Sequence, residues 1–281
     1  MPAGEVFLLG AIAGLTILLG LPIGRMRQVS PSLRVLLNAV AIGILVFLLW
    51  DVLSKAVEPA QTSLQAAVDH HGSWWAFVGP CLTFVGCLAV GLLSLVFYDR
   101  WAGQRAKRRQ FGPGAASVAE LSQPAGAMVR SGESLAVLIA VGIGLHNFSE
   151  GLAIGQSAAR NEVSLALVLI IGFGLHNATE GFGIVAPLAV EDVRPSWAFL
   201  ALLGLIGGGP TFLGTVVGRS FVNETLFVAF LALAAGSILY VVIQLLNVAY
   251  KMGHKEMLMW GILGGLVAGF ATDFVLTAAG V

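Results

Sequence analysis

The pattern His-Asn-x-x-Glu-Gly occurs twice in this chain, thirty residues apart, as His146-Asn147-Phe148-Ser149-Glu150-Gly151 and His176-Asn177-Ala178-Thr179-Glu180-Gly181. Each copy sits inside an apolar segment. Imidazole and carboxylate are the donor set of a divalent transition metal. Ionisable side chains at membrane depth are costly and, by default, point to function. On a helix, residues i and i+4 share a face. His146 and Glu150 therefore project together, as do His176 and Glu180. Asn147 and Asn177, one step round, add amide oxygens. If the two faces oppose each other, His146, Asn147, Glu150, His176, Asn177 and Glu180 supply enough donors for a four- to six-coordinate ion. Zn²⁺ suits nitrogen plus carboxylate oxygen, and Fe²⁺, Mn²⁺, Co²⁺, Ni²⁺ and Cd²⁺ remain open. A carboxylate there needs a cation, a proton or water, because neither segment carries Lys or Arg at that depth.

The elements that must position these residues are membrane helices. The chain has 281 residues, 57% hydrophobic and 11% charged, with mean hydropathy +0.90. A soluble domain carries about 25% charged residues, so the expectation is an all-α integral membrane protein. The balanced net charge gives no global signal for nucleic acid. Cys81 and Cys87 form neither a C-x-x-C motif nor a disulfide framework and read as small packing residues. The first apolar run lacks a basic leader and reads as a permanent span rather than a cleaved signal.

Apolar runs long enough to cross a bilayer, which takes ~20 residues, lie near 5–24, 33–53, 74–97, 135–156, 163–189, 195–218, 225–247 and 257–279. The expectation is one transmembrane domain over 1–281 with eight transmembrane helices. Its one long loop, about 98–134, is charged and then rich in Gly, Ala, Ser and Pro. Basic residues set orientation. Arg25, Arg27, Arg34, Arg100, Arg105, Lys107, Arg108, Arg109, Arg130, Arg194, Lys251 and Lys255 fall on one side, against Lys55, Arg160 and Arg219 on the other. The long loop is then cytoplasmic and both the N-terminus and the C-terminus lie outside. The Arg105–Arg109 cluster reads as a topology determinant near anionic lipid. Spans four and five are consecutive and joined by a short loop, hence antiparallel neighbours.

On these residues the chain resembles the ZIP (Zrt/Irt-like) family of divalent metal transporters, closest to its bacterial and archaeal branch. That branch carries HN-x-P-EG-like motifs in the fourth and fifth of eight helices. The resemblance implies metal uptake toward the cytoplasm, most simply of zinc, across the cell (inner) membrane of a prokaryote. It also implies an inverted repeat and an elevator-like movement of the metal-carrying helices. It maps transport-site roles onto His146, Asn147, Glu150, His176, Asn177 and Glu180. Two departures stand out. The family's Pro before Glu is Ser149 in one copy and Thr179 in the other; both can bend a helix more weakly by bonding back to a carbonyl. The Glu-Pro pair that relatives carry early in span six is absent from Gly207-Gly208-Gly209-Pro210-Thr211, which favours one principal metal. Residues 98–134 also contain no His.

Other polar residues read as structural first. His70 and His71, beside Asp69, form an external loop pair that could capture metal. His254 and Glu256 lie on the inner side, as does Glu191-Asp192. Asp51, after Trp50, reads as an interfacial anchor that could also guide cations. Asp273, Asn38 and Gln244 read as partners of neighbouring helices. Gly142, Gly144, Gly151, Gly155, Gly172, Gly174, Gly181 and Gly183 suit close helix packing or sliding. Gly261, Gly265 and Gly269 form a packing ladder compatible with a homodimer. The alternative function is an intramembrane metalloenzyme. It is disfavoured because the chain has no His-Glu-x-x-His motif and each Glu is needed as a ligand. A pure sensor is disfavoured because no signalling domain is evident.

Overall fold

The structure, a computed structural model, describes residues 2–26, 30–110, 132–159, 163–190, 194–220 and 223–278. All regular structure among them is helical, in eight helices. α1 (Ala3–Arg25) is followed by α2 (Pro31–Val68), α3 (Trp74–Gln110) and α4 (Gly132–Ala159). Then come α5 (Val163–Val190), α6 (Trp197–Ser220), α7 (Glu224–Met252) and α8 (Lys255–Ala278). Among the described residues seven of these are long and apolar enough to cross a membrane; α5 is the remaining helix. The eight helices match the eight expected runs in order.

Local chemistry fixes several boundaries. The Ser30 hydroxyl accepts from Leu33 N–H at 3.3 Å and Pro31 opens α2, a favoured N-terminal pairing. Asn223 Oδ1 accepts from Leu226 N–H at 2.9 Å to cap α7, which ends at Gly253 with φ +78°. That left-handed position favours glycine. α1 is interrupted at Thr16, whose hydroxyl donates to the Ala13 carbonyl at 2.6 Å, and its last turn, Leu21–Arg25, is 3₁₀.

Two helices exceed their expected spans. α2 runs to Val68 rather than stopping near 53, and α3 runs to Gln110, into the segment read as loop. Beyond residue 53 the sequence loses hydropathy but keeps good helix formers, so the helix outlasts the apolar run. At 1.5 Å per residue, the 38 residues of α2 reach about 57 Å, well beyond a ~30 Å hydrocarbon core. The Gly/Ala/Ser/Pro-rich part of the loop, Arg27, Arg160 and Glu191-Asp192 lie outside the described residues.

The helices pack as two groups. In the first, α4 packs most extensively on α6 and also on α5, while α1 packs on α5 and α6. In the second, α2 packs on α8, α7 and α3, and α3 packs on α7. Glycines bring backbones together inside each group. A Cβ on Gly151 would meet the Thr211 carbonyl, on Gly155 that of Thr215, and on Gly214 that of Phe148, which locks α4 to α6. Gly14 faces Gly208, and Gly20 faces Gly181, on α1. In the second group Gly43 faces Gly265, while Gly91 and Gly236 abut the carbonyls of Leu233 and Leu88. The ladder on α8 thus packs internally on α2.

The junction between the groups is different. Gly142 and Gly183 there meet the side chains of Val241 and Leu245. Around them Ile42, Leu45, Ile139, Ile184 and Ile238 are buried in one apolar core. Small residues permit close backbone approach within a group; branched side chains hold the two groups apart.

Candidate metal centre

The two motif copies face each other across α4 and α5. Nε2 of His146 lies 2.9 Å from Oε1 of Glu150, one turn on. Nε2 of His176 lies 2.5 Å from that same oxygen, and imidazole and carboxylate share a hydrogen bond. The two imidazole rings are 6.3 Å apart, centre to centre. Among the described residues, these three form the one group of His, Cys, Asp or Glu that could hold a metal ion, with donor atoms within 4.8 Å of one another. Side-chain exposure is 1% for His146 and 4% for Glu150 but 13% for His176. His176 is the member of the group that reaches open space.

Hydrogen bonding leaves this region rich in unused donor electrons. Both ring nitrogens of His146 are buried without a hydrogen bond, as is Oε2 of Glu150. The 2.9 Å approach of His146 to Glu150 is therefore a close pairing whose angles do not make a hydrogen bond. A ring nitrogen and a carboxylate oxygen that converge without a hydrogen bond are spaced as co-ligands of one cation would be. Buried polar atoms are normally satisfied, and each exception calls for an explanation.

Glu180 is fully buried, and neither of its oxygens has a hydrogen-bond partner. It stands outside the three-residue group, so Glu150 and not Glu180 completes the close set with both histidines. Asn147 and Asn177 behave as a matched pair. The Asn147 amide donates to the Gly207 carbonyl on α6 at 3.0 Å, and the Asn177 amide donates to the Ala13 carbonyl on α1 at 3.2 Å. Each leaves its Oδ1 buried and unpartnered. The two amides thus clamp α4 to α6 and α5 to α1 while their oxygens stay available.

Ser149 and Thr179 both bond back to the carbonyl three residues earlier. The Ser149 hydroxyl donates to the His146 carbonyl at 2.6 Å, and the Thr179 hydroxyl to the His176 carbonyl at 2.7 Å. Each motif thereby engages the carbonyl of its own histidine. Residues overlooked by sequence reasoning lie on α6. Thr211, directly after Pro210, is fully buried with its hydroxyl oxygen unpartnered. The glycine run before it was the available signal.

Two cavities flank this region, and no residue lines both. One, of about 270 Å³ between α2, α5 and α8, reaches His176 and Thr179 and is also lined by Asp51, Lys55 and Asp273. The other, of about 480 Å³, lies past Phe182 and Val185 on α5 and is lined by Arg25, Arg34 and Arg194. Arg25 donates to the Pro195 carbonyl and stacks over Trp197 at 4.8 Å. Asn38, which also lines this cavity, donates to the Leu245 carbonyl at 3.3 Å, the interhelical role expected of it. Asp69, His70 and His71 form the turn that ends α2, with His70 at φ +60°, and do not join a metal-type group among the described residues.

A helical membrane protein with a buried imidazole–carboxylate group between two of its helices has the donor chemistry of a metal-handling membrane protein. The family model of the ZIP Zinc transporter matches residues 119–277, more than half of the chain and both motif copies, and the chain belongs to that family. It is a family of divalent-metal transporters and not of enzymes. No curated protein matches the chain.

Proposed function

We propose that this protein carries a divalent transition metal, zinc first, across the membrane into the cytoplasm, one principal ion at a time. The observation that carries this reading is the single Glu150 oxygen approached by both His146 and His176. His146 and His176 supply nitrogen donors that Mg²⁺ and Ca²⁺ do not favour. Glu150 neutralises the ion and bridges the two helices. Glu180 and the Oδ1 atoms of Asn147 and Asn177 offer further oxygens as the ion shifts. Both termini face outward, and 1–281 is one transmembrane domain whose long loop, about 98–134, is cytoplasmic. The membrane is the cell membrane of a prokaryote. The apolar outer face of α3, with Leu82, Val85, Val90 and Phe97 exposed, suits lipid or a second copy in a homodimer.

The two-group packing supports a carrier in which α1, α4, α5 and α6 move as one body against α2, α3, α7 and α8. The hydrogen bonds from Asn147, Asn177 and Asn38, and the glycine-to-carbonyl approaches, stay inside a group. The junction between groups is apolar side-chain packing, which can slide without leaving polar atoms unpaired. α5 lines both cavities, so an ion on His176 is carried by an element that faces each in turn. Binding at a midplane site that rocks between two bodies is a common transporter design.

Uptake of radiolabelled zinc into reconstituted vesicles tests the reading. Glu150→Ala removes uptake while the protein still inserts. Full uptake by that variant would sink the proposal.

A further inference from the structure

Asp51 and Lys55 lie on α2 one turn apart, and their side chains pair at 2.7 Å. Asp51 lies near the end of the apolar run of α2, and the helix itself continues to Val68. The pair stands where the apolar run of α2 gives way to its more polar outer part. It faces the cavity that holds Asp273 on α8 and His176 on α5. Gly269, one turn before Asp273, packs on the Phe47 ring, one turn before Asp51, so the two carboxylates are set at matching heights on adjacent helices. The cavity is about 270 Å³ and ends at the exposed edge of the metal group.

Two carboxylates at the mouth of a cation site need no special account. The lysine beside them does. An ammonium there repels an arriving metal, and a hydrophobic residue would serve packing as well. Lys55 is 52% exposed, so it stands at the outer rim of the cavity, where its charge reaches the vestibule while staying hydrated.

We propose that Lys55 is a tethered counter-cation of the entry vestibule. Its ammonium occupies Asp51 until a divalent ion displaces it, so Lys55 sets the apparent affinity for metal and discriminates against monovalent cations. A side chain one helical turn away acts at a high effective concentration, of millimolar order or above for a short tether. A monovalent ion brings no more charge than the ammonium it must replace. A divalent ion brings twice the attraction to each carboxylate. Asp51 and Asp273 then hold the metal and pass it to His176. This inference rests on the transport reading above.

The test uses the full chain in proteoliposomes. Cys81 and Cys87 are replaced by Ala and a single thiol is introduced by Thr272→Cys, on the cavity wall. Cationic and anionic membrane-impermeant methanethiosulfonates are reacted with that thiol, and the ratio of their rates reads the local potential without any transport. Zinc uptake is measured in parallel. Lys55→Met is expected to raise the cationic-to-anionic rate ratio and to lower the KM for zinc about three- to tenfold, for one unit of nearby charge. Its maximal rate stays close to that of the parent. The same variant should make uptake more sensitive to added monovalent salt. Lys55→Arg restores the parent values. Asp51→Asn and Asp273→Asn lower the rate ratio and raise the KM. A thiol at 272 that neither reagent reaches, or a rate ratio and KM unmoved by Lys55→Met, overturns the inference. If the ratio moves as stated but the parent protein carries no metal, the transport reading falls and the vestibule electrostatics stand.

Discussion

Glu150 on α4 and His176 on α5 share a hydrogen bond at 2.5 Å, between an oxygen and a ring nitrogen that also belong to the candidate metal group. The same oxygen lies 2.9 Å from His146, so one carboxylate joins the two copies of the motif. Glu180 holds the equivalent sequence position and makes neither pairing. Two copies that look alike in sequence are thus unequal in space.

That inequality predicts unequal mutants. Glu150→Gln should remove specific metal binding as well as uptake. Glu180→Gln should retain binding at the His146–Glu150–His176 group, weakened by about 10- to 100-fold as for groups supporting a metal's ligands. Equilibrium binding to the purified protein, read beside vesicle uptake, separates the two. Equal loss in both variants would mean that the carboxylates act as an equivalent pair.

The donor set predicts selectivity. Two imidazoles and one carboxylate favour Zn²⁺ and Cd²⁺ over hard, oxygen-seeking ions. Cd²⁺ should compete with labelled zinc at comparable concentration, while millimolar Mg²⁺ or Ca²⁺ leaves uptake nearly unchanged. Strong inhibition by Mg²⁺ would point to a site built from the oxygens alone.

Asn177 has a mechanical role that can be isolated. Its amide donates to the Ala13 carbonyl at 3.2 Å and ties α5 to α1. Asn177→Ala should cost about 0.5–2 kcal/mol of stability, the range for interhelical hydrogen bonds in membranes. Thermal unfolding in detergent measures it. If Oδ1 also visits the metal, the same variant weakens zinc binding, whereas Asn38→Ala, on α2, lowers stability without that second effect.

The glycines divide into two kinds. Gly214 sits against the Phe148 carbonyl, and a side chain there must push α6 away from α4; Gly214→Val should cost at least ~1–3 kcal/mol. Gly86 and Gly264 have open space around their Cβ positions. Gly86→Ala and Gly264→Ala should be neutral or stabilising by up to about 1 kcal/mol, through helix propensity. A melting curve for each variant decides, and equal effects would argue against the α4–α6 lock.

The sequence by itself determined the helices, their order and the donor chemistry. Long apolar runs can satisfy their backbone in a membrane only as helices, and the i, i+4 spacing fixes His146 beside Glu150 whatever else the chain does. It even made legible the back-bonding of Ser149 and Thr179, because that geometry is local. What only the tertiary structure decided is relational. Which carboxylate is shared, which amide meets which carbonyl, and that Asp51, Asp273 and His176 open on one cavity all depend on the rotation and register of one helix against another. Those are set by where glycine lets backbones touch, as at Gly14–Gly208 and Gly43–Gly265, and a one-dimensional pattern of small residues does not say which helix each will meet. The lengths of α2 and α3 escaped for a related reason: hydropathy marks where lipid ends, whereas helix propensity and packing decide where the helix does.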